Sequence, residues 1–190
     1  GEKPILEVVL ENLKEHGFWD FKIAVNYKAE VIESYFGNGE KHSIQIEYLR
    51  EQKRLGTAGA LSLFKPENDL PIIVMNGDVL TKVDFTQFTE SHEKNKSICT
   101  MCVRKYDFQI PFGVVKVSPQ QKVLTIEEKP TQTFFVNAGI YAIDPRVISY
   151  VPKDTYFDMP HLLNNVLEKH PGQTSVFPIH EYWMDVGRRD

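Results

Sequence analysis

The sequence predicts an α/β protein with a mixed, mainly parallel sheet and a β-rich part in its second half. Three observations carry this. Strand-like and helix-like segments alternate from the start to about Val103, the pattern of βαβ units. The run Pro71-Ile72-Ile73-Val74-Met75 is short, apolar and β-branched, as a buried strand is, and it stops at Asn76-Gly77-Asp78. After Val103 the strands Val114–Val117, Val123–Ile126 and Phe134–Ile143 are separated by turns and no longer by helices.

Each element follows from local pattern. Ile5, Leu6, Val9, Leu10 and Leu13 recur at helical spacing between Pro4 and His16, with Gly17 as the stop. Phe21–Val25 reads as a strand, and Ala29–Phe36 as a helix closed by Gly37-Asn38-Gly39. Ser43–Leu49 alternates as a strand does, and Thr57–Phe64 is a short helix entered through glycine and threonine. The Pro71 strand is followed by a helix over Phe85–Lys94 and a strand around Cys99. A last helix, Met159–Lys169, precedes the Ser175-Val176-Phe177 strand and the segment around Trp183. No repeat, low-complexity tract or linker interrupts, so residues 1–190 are expected to form one domain. Gly1-Glu2-Lys3-Pro4 reads as the middle of a protein and Arg188-Arg189-Asp190 as an abrupt stop, so a fragment truncated at both ends is expected.

Composition narrows the function. Apolar and charged fractions of 42% and 25% are those of an ordinary globular protein. A net charge of -4 argues against a nucleic-acid partner, because counterion release needs a basic face. No stretch approaches the ~20 apolar residues of a membrane span, and no signal peptide opens the chain. Cys99 and Cys102 have CxxC spacing, but on a strand positions three apart point to opposite faces. With no second pair to complete a tetrahedral site, they read as reduced core cysteines, which fits a cytoplasmic location.

The residues that carry chemistry cluster at segment ends. Carboxyl ends of strands in an open α/β sheet are where ligands bind, which places Asp78 at a crevice. Asp185, in Trp183-Met184-Asp185-Val186-Gly187, is a second acid able to converge with it on one divalent cation. In Leu55-Gly56-Thr57-Ala58-Gly59-Ala60-Leu61 a glycine turn enters a helix, which lets backbone N–H groups approach a base or phosphate, or simply makes a tight helix start. Glu51, Gln52 and Lys53 lie just upstream. Glu127-Glu128-Lys129-Pro130 places acid and amine at a strand end, where a solvated turn is the common alternative. Val136-Asn137-Ala138-Gly139-Ile140-Tyr141 sets an amide and a glycine in an apolar strand, the mark of a close approach or a bulge.

The order Gly-Thr-Ala-Gly-Ala-Leu, Asn-Gly-Asp, Phe-Gly-Val-Val, Glu-Glu-Lys-Pro, Asn-Ala-Gly-Ile-Tyr, Trp-x-Asp-Val-Gly resembles the sugar-1-phosphate nucleotidyltransferases over nearly the whole chain. That family includes mannose-1-phosphate guanylyltransferases and glucose-1-phosphate uridylyl- and thymidylyltransferases. The resemblance implies a Rossmann-like three-layer nucleotide-diphospho-sugar transferase fold, with the β-rich part binding the sugar. It implies that an NTP and a sugar 1-phosphate are the substrates, with an NDP-sugar and pyrophosphate as products, and Mg2+ as cofactor. By the same resemblance Asp78 and Asp185 bind the metal, and Lys129 grips the sugar phosphate. Glu51, Gln52, Gly56, Thr57, Asn76 and Gly77 belong to the nucleotide side, and Phe112, Gly113, Glu128, Asn137 and Gly139 to the sugar side. Phe112 stands where many relatives carry Tyr, which removes one hydroxyl contact.

Glu51 matches the polar position five residues before the glycine of the Gly-Thr-Ala turn. Guanine presents N1–H and N2–H donors to a carboxylate, so Glu51 favours GTP. The adjacent Gln52 would favour UTP or dTTP if the register shifted by one. The family's N-terminal Gly-rich loop, its Arg and its Pro-Lys-Pro lysine have no counterpart here, and Lys3 resembles a later Lys-Pro. The first strand of the sheet goes with that loop, so the fragment is expected to be inactive alone. Alternatives are a uridylyl- or thymidylyltransferase, or a non-catalytic relative that senses nucleotide sugars. A generic dinucleotide binder ranks last, since no GxGxxG is present. Homodimers and an upstream pair of CBS modules are further expectations by analogy.

Overall fold

A computed structural model describes residues 3–187. Helix α1 (Ile5–Glu15) leads to strand β1 (Asp20–Val25), helix α2 (Ala29–Phe36) and strand β2 (Gln45–Arg50). Helix α3 (Gly56–Gly59) continues as a 3-10 turn over Ala60–Leu63 before β3 (Ile72–Met75) and β4 (Val79–Thr81). Helix α4 (Phe85–Lys94) precedes β5 (Cys99–Gln109), β6 (Val114–Val117), β7 (Val123–Glu127) and β8 (Thr131–Ile143). A 3-10 helix over Pro145–Tyr150, then α5 (Met159–Lys169), β9 (Thr174–Ile179) and β10 (Trp183–Asp185), complete the order. Every element expected from the sequence is present. The three-residue β4 and the Pro145 turn are additions, too short to show a period.

The central sheet has the order β3-β8-β5-β9. Strands β3, β5 and β9 share one direction, while β8 runs against β3 and β5. The expectation of a mainly parallel sheet therefore needs correction at the level of pairing. Among the described residues only β5–β9 and the separate β1–β2 pair are parallel, and the other four pairings are antiparallel. The physical reason is β8: it returns directly from the turn-linked insertion and so lies antiparallel between β3 and β5. Among the described residues, β1 and β2 pair with each other and with no strand of the larger sheet.

Helices cover both faces, which gives three layers. On one face Val9 and Leu13 of α1 and Phe85 and Phe88 of α4 pack on Ala138, Ile140 and Ala142 of β8. On the other, Met159, Leu162 and Val166 of α5 pack on Tyr141 and Ile143 of the same strand. Alternation with period two thus feeds one strand into two cores. Ile73 and Met75 join the first core, Ile72 and Val74 the second, so β3 needs its continuous apolar run. Leu10 extends α1 over a third cluster with Phe36, Ile44 and Ile46, and Lys3 is tied to Glu11 on the helix surface.

The cysteines lie as their spacing implies, Cys99 in the second core and Cys102 in the first, both free and fully buried. Burial pushes both thiols up to about 12, so neither is a reactive thiolate.

Beyond Arg104 and Val136, β5 and β8 continue as a two-stranded ribbon to Gln109 and Thr131. A register shift between Met101 and Val103 marks its root, where a bulge adds twist. The ribbon leaves the carboxyl edge of the sheet and carries β6, β7 and the Glu128-Lys129 turn outward.

His92 of α4 is buried, with its Nδ1 2.8 Å from Thr100 Oγ1, and Thr100 reaches Ser175 Oγ at 3.1 Å. Burial holds this imidazole below its usual 6.5, against a smaller upward pull from Asp144 and Glu93. The unfolded chain therefore binds that proton more readily, and stability present above the ordinary value is lost as pH falls toward the lowered one. Urea unfolding at about pH 7.5 and about pH 5.5 should show a lower midpoint at the acid value, and His92→Gln should shrink the difference.

Candidate functional site

Two short strands build the acidic centre. β10 pairs antiparallel with β4, setting Trp183 opposite Thr81 and Asp185 opposite Val79. Asp78 precedes β4 directly, and its carbonyl accepts the Val186 N–H at 2.9 Å. Gly187 sits between the two acids: its N–H donates to Asp185 Oδ1 at 3.1 Å, and a Cβ there would overlap Asp78 Oδ2 and lie 3.4 Å from Asp185 Oδ1. The structure thus gathers Asp78 and Asp185 around one residue that has no side chain. Gly187 was quoted in the motif without a role, and its role is room. No lysine or arginine bridges either acid among the described residues.

Asn76 and Gly77 lead into this centre. The Asn76 N–H donates to the Gly139 carbonyl at 3.0 Å, and the Asn76 amide fills the space a Cβ on Gly139 would need. Asn137 accepts the Gly139 N–H at 2.9 Å and donates to the Tyr141 hydroxyl at 2.7 Å. Its amide is therefore part-used within the fold, keeping one N–H and one lone pair for a ligand.

At the far end of the ribbon, Glu128 and Gly113 meet. A Cβ on Gly113 would lie 3.1 Å from Glu128 Oε2, so the glycine makes space for the carboxylate. Lys129 holds the turn with φ +46°, its side chain exposed, and Phe112 is 73% exposed. From Asn137 to Thr131 the strand rises roughly 20 Å at about 3.3 Å per residue. The sugar-side residues thus fall into two groups, Asn137 and Gly139 at the root and Phe112, Gly113, Glu128 and Lys129 at the tip.

The Gly56-Thr57 turn is fastened to the start of α5. The Thr57 N–H donates to Asp158 Oδ1 at 2.8 Å, and the Ala58 and Gly59 N–H groups both donate to the Phe157 carbonyl at 2.9 Å. Thr57 Oγ1 donates to Asp158 at 3.1 Å and accepts the Met159 N–H at 2.9 Å. The Thr57, Ala58 and Gly59 N–H groups are thus satisfied by the start of α5, as a tight helix start requires. Gly56 is required because φ is +81° and a Cβ would lie 2.7 Å from both Asp158 Oδ1 and the Phe157 carbonyl. These bonds hold the Asp158 carboxyl below the usual carboxylate range, the Thr57 N–H first among them. Nothing in the sequence pointed to Asp158, whose partner is far away along the chain.

Glu51 faces the same loop, with Oε2 accepting the Leu55 N–H at 2.9 Å, while Asn26 holds the Glu51 carbonyl at 2.9 Å. Gln52 is exposed. A cavity of about 230 Å³ opens elsewhere, beside Glu7, Lys14, His42 and Ile44, and includes none of these residues. Among the described residues no group of three or more acids, histidines or cysteines could hold a metal, and no helix is long and apolar enough to cross a membrane.

The architecture is a three-layer α/β fold that carries an acid pair and a β-rich ribbon. The chain belongs to the nucleotidyl transferase family, whose model matches residues 1–190. It is 31% identical over 210 residues to a UTP–glucose-1-phosphate uridylyltransferase of Synechocystis, covering 98% of this chain and 53% of that protein. It is 32% identical over 202 residues to a mannose-1-phosphate guanyltransferase of Yarrowia lipolytica, covering 99% and 53%. The chain thus spans about half the length of the curated relatives it matches. Among solved structures, HddC from Yersinia pseudotuberculosis superposes with a TM-score of 0.72 at 25% identity, over 97% of this chain and 80% of that one.

Two substitutions test the geometry. Asp158→Ala should cost about 1 kcal/mol by leaving the Thr57 N–H without its acceptor, read from chemical denaturation. Gly187→Ala should push the Asp78 carboxylate aside, seen as a shift of its side-chain resonances in NMR, while changing stability by no more than about 0.5 kcal/mol.

Proposed function

We propose that this chain forms the main part of an enzyme that joins a nucleoside monophosphate to a sugar 1-phosphate, GTP being the favoured donor. The observation that supports it most is the convergence of Asp78 and Asp185 on Gly187. Two hard carboxylates without a third ligand are a poor isolated metal site but suit Mg2+, which binds through one or two carboxylates and completes its shell with substrate phosphates and water. When bound, Mg2+ would offset the negative charge of the reacting phosphates.

The chain's own residues do the rest by positioning. The Lys129 ammonium holds the phosphate of the sugar 1-phosphate, and Glu128 and Asn137 accept from or donate to sugar hydroxyls. A phosphate oxygen of that substrate attacks the α-phosphorus of the NTP in line. A new phosphorus–oxygen bond forms as the bond to pyrophosphate breaks, so charge and atoms are conserved. For both sugar-side groups to meet one substrate, the twisted ribbon has to curl over the crevice, as two-stranded ribbons do. Glu51 keeps Oε1 for the donors on guanine. The second reading, UTP or dTTP, is favoured by the Leu55 bond on Glu51 and by the exposed Gln52 amide beside it.

Survival of both aspartates counts against a non-catalytic sensor. A cytoplasmic location and a homodimer belong to the same proposal.

The test is a thermal-shift screen of the chain with GTP, UTP and dTTP, each with and without Mg2+. GTP with Mg2+ should give the largest rise, Asp78→Asn should abolish the Mg2+-dependent part, and Glu51→Gln should move preference toward UTP. A largest rise with UTP would reverse the assignment of base, and no rise with any NTP would remove the transferase reading.

A further inference from the structure

The strands that carry the acid pair are three residues each and, among the described residues, pair only with one another, forming a sheet separate from the central one. A two-stranded ladder of three pairs is marginal by itself, so something must fix it to the body of the protein. Most bonds at its ends are internal to the ribbon: the Tyr182 carbonyl accepts from Lys82 N–H and Thr81 Oγ1, and the Asp78 carbonyl accepts from Val186 N–H. Among the described residues only two hydrogen bonds tie β10 to the four-stranded sheet. The Trp183 indole N–H donates to the Ala138 carbonyl of β8 at 2.8 Å, and Arg104 Nη1 of β5 donates to the Trp183 carbonyl at 3.0 Å.

Arg104 is an unusual residue for its place. It sits mid-sheet, opposite Val136 of β8 and Ile179 of β9, and is only partly exposed. Among the described residues it has no carboxylate partner. Its guanidinium instead lies 5.8 Å from the centre of the Trp183 ring while bonding that residue's carbonyl. An arginine suits such a position, because its planar fork can donate to a carbonyl while the cation lies near an aromatic ring, and its guanidinium is more weakly hydrated than an ammonium. Trp183 and Asp185 are two apart on a strand and share a face, so the hold on Trp183 sets the direction in which the Asp185 carboxylate leaves the strand.

We propose that Arg104 is a positioning residue: it clamps β10 to the central sheet through Trp183 and so aims the Asp78–Asp185 pair into the crevice. It acts without touching substrate. The inference rests on the metal reading above only for its functional consequence, since the clamp itself is mechanical.

The test separates the two. Hydrogen exchange at the Val186 amide, which bonds the Asp78 carbonyl, reports the clamp with no metal present. Mn2+ titration with GTP or UTP, followed by electron paramagnetic resonance, reports the acid pair. Arg104→Met should accelerate Val186 exchange and weaken Mn2+ binding on the order of tenfold, the size expected when a ligand's support is lost. Arg104→Lys, which keeps a donor but loses the planar stack, should fall between, and its unchanged circular dichroism guards against simple misfolding. Unchanged exchange in both variants overturns the clamp. Accelerated exchange with unchanged Mn2+ affinity overturns its role in aiming the acids. Failure of the unsubstituted protein to bind Mn2+ with either nucleotide overturns the metal reading and the aiming role with it, while the exchange comparison still decides whether Arg104 holds the strand.

Discussion

Val79 and Asp185 face each other across a ladder of three residue pairs, although they come from opposite halves of the chain. That ladder is the constraint on which the chemistry depends. An acid at the end of β3 and an acid at the end of β10 would be unrelated surface charges without it. Pairing sets their backbones side by side, and Gly187 lets the carboxylates approach because nothing occupies the space between. The cost is a pair of like charges held close, which is tolerable where solvent or a cation can screen them.

The same logic governs the central sheet. β8 is the strand on which both cores meet, and its alternation of Ala138, Ile140 and Ala142 against Tyr141 and Ile143 decides which helices can pack where. Its small residues on one side admit the α1 and α4 aromatics and aliphatics closely. Its Tyr141 on the other reaches Asn137, so packing and the polar root of the ribbon are coupled through one side chain. Burial raises the Tyr141 phenol, with Asn137 pulling the other way, which keeps that hydroxyl neutral as the acceptor of the Asn137 amide proton.

Much of this was legible in the sequence, and the rest was not for identifiable reasons. Ala29–Phe36 and Phe85–Lys94 are written in local periodicity and end where the pattern ends. Asp78 and Asp185 were legible because strand ends in such folds face a crevice. Strand positions were readable, but strand adjacency and pairing direction were not, since nothing local says that β8 will slip between β3 and β5. β4 is too short to carry a period of its own. The Gly56-Thr57 turn left two readings open for a tertiary reason: a glycine that opens a helix for a ligand and one that opens it for a distant aspartate look alike in sequence. Asn137 and Glu128 were grouped as one set, whereas the strand between them spans most of a ribbon.

Asp158 and the start of α3 have a consequence for how the crevice is divided. A helix start with its N–H groups free is an electropositive seat, whereas this one is already neutralised by a carboxylate and a carbonyl. An incoming polyanion gains nothing there and meets a fixed negative charge. Residues 55–59 are thereby a structural joint that fastens the start of α3 to the start of α5 across about a hundred residues of chain.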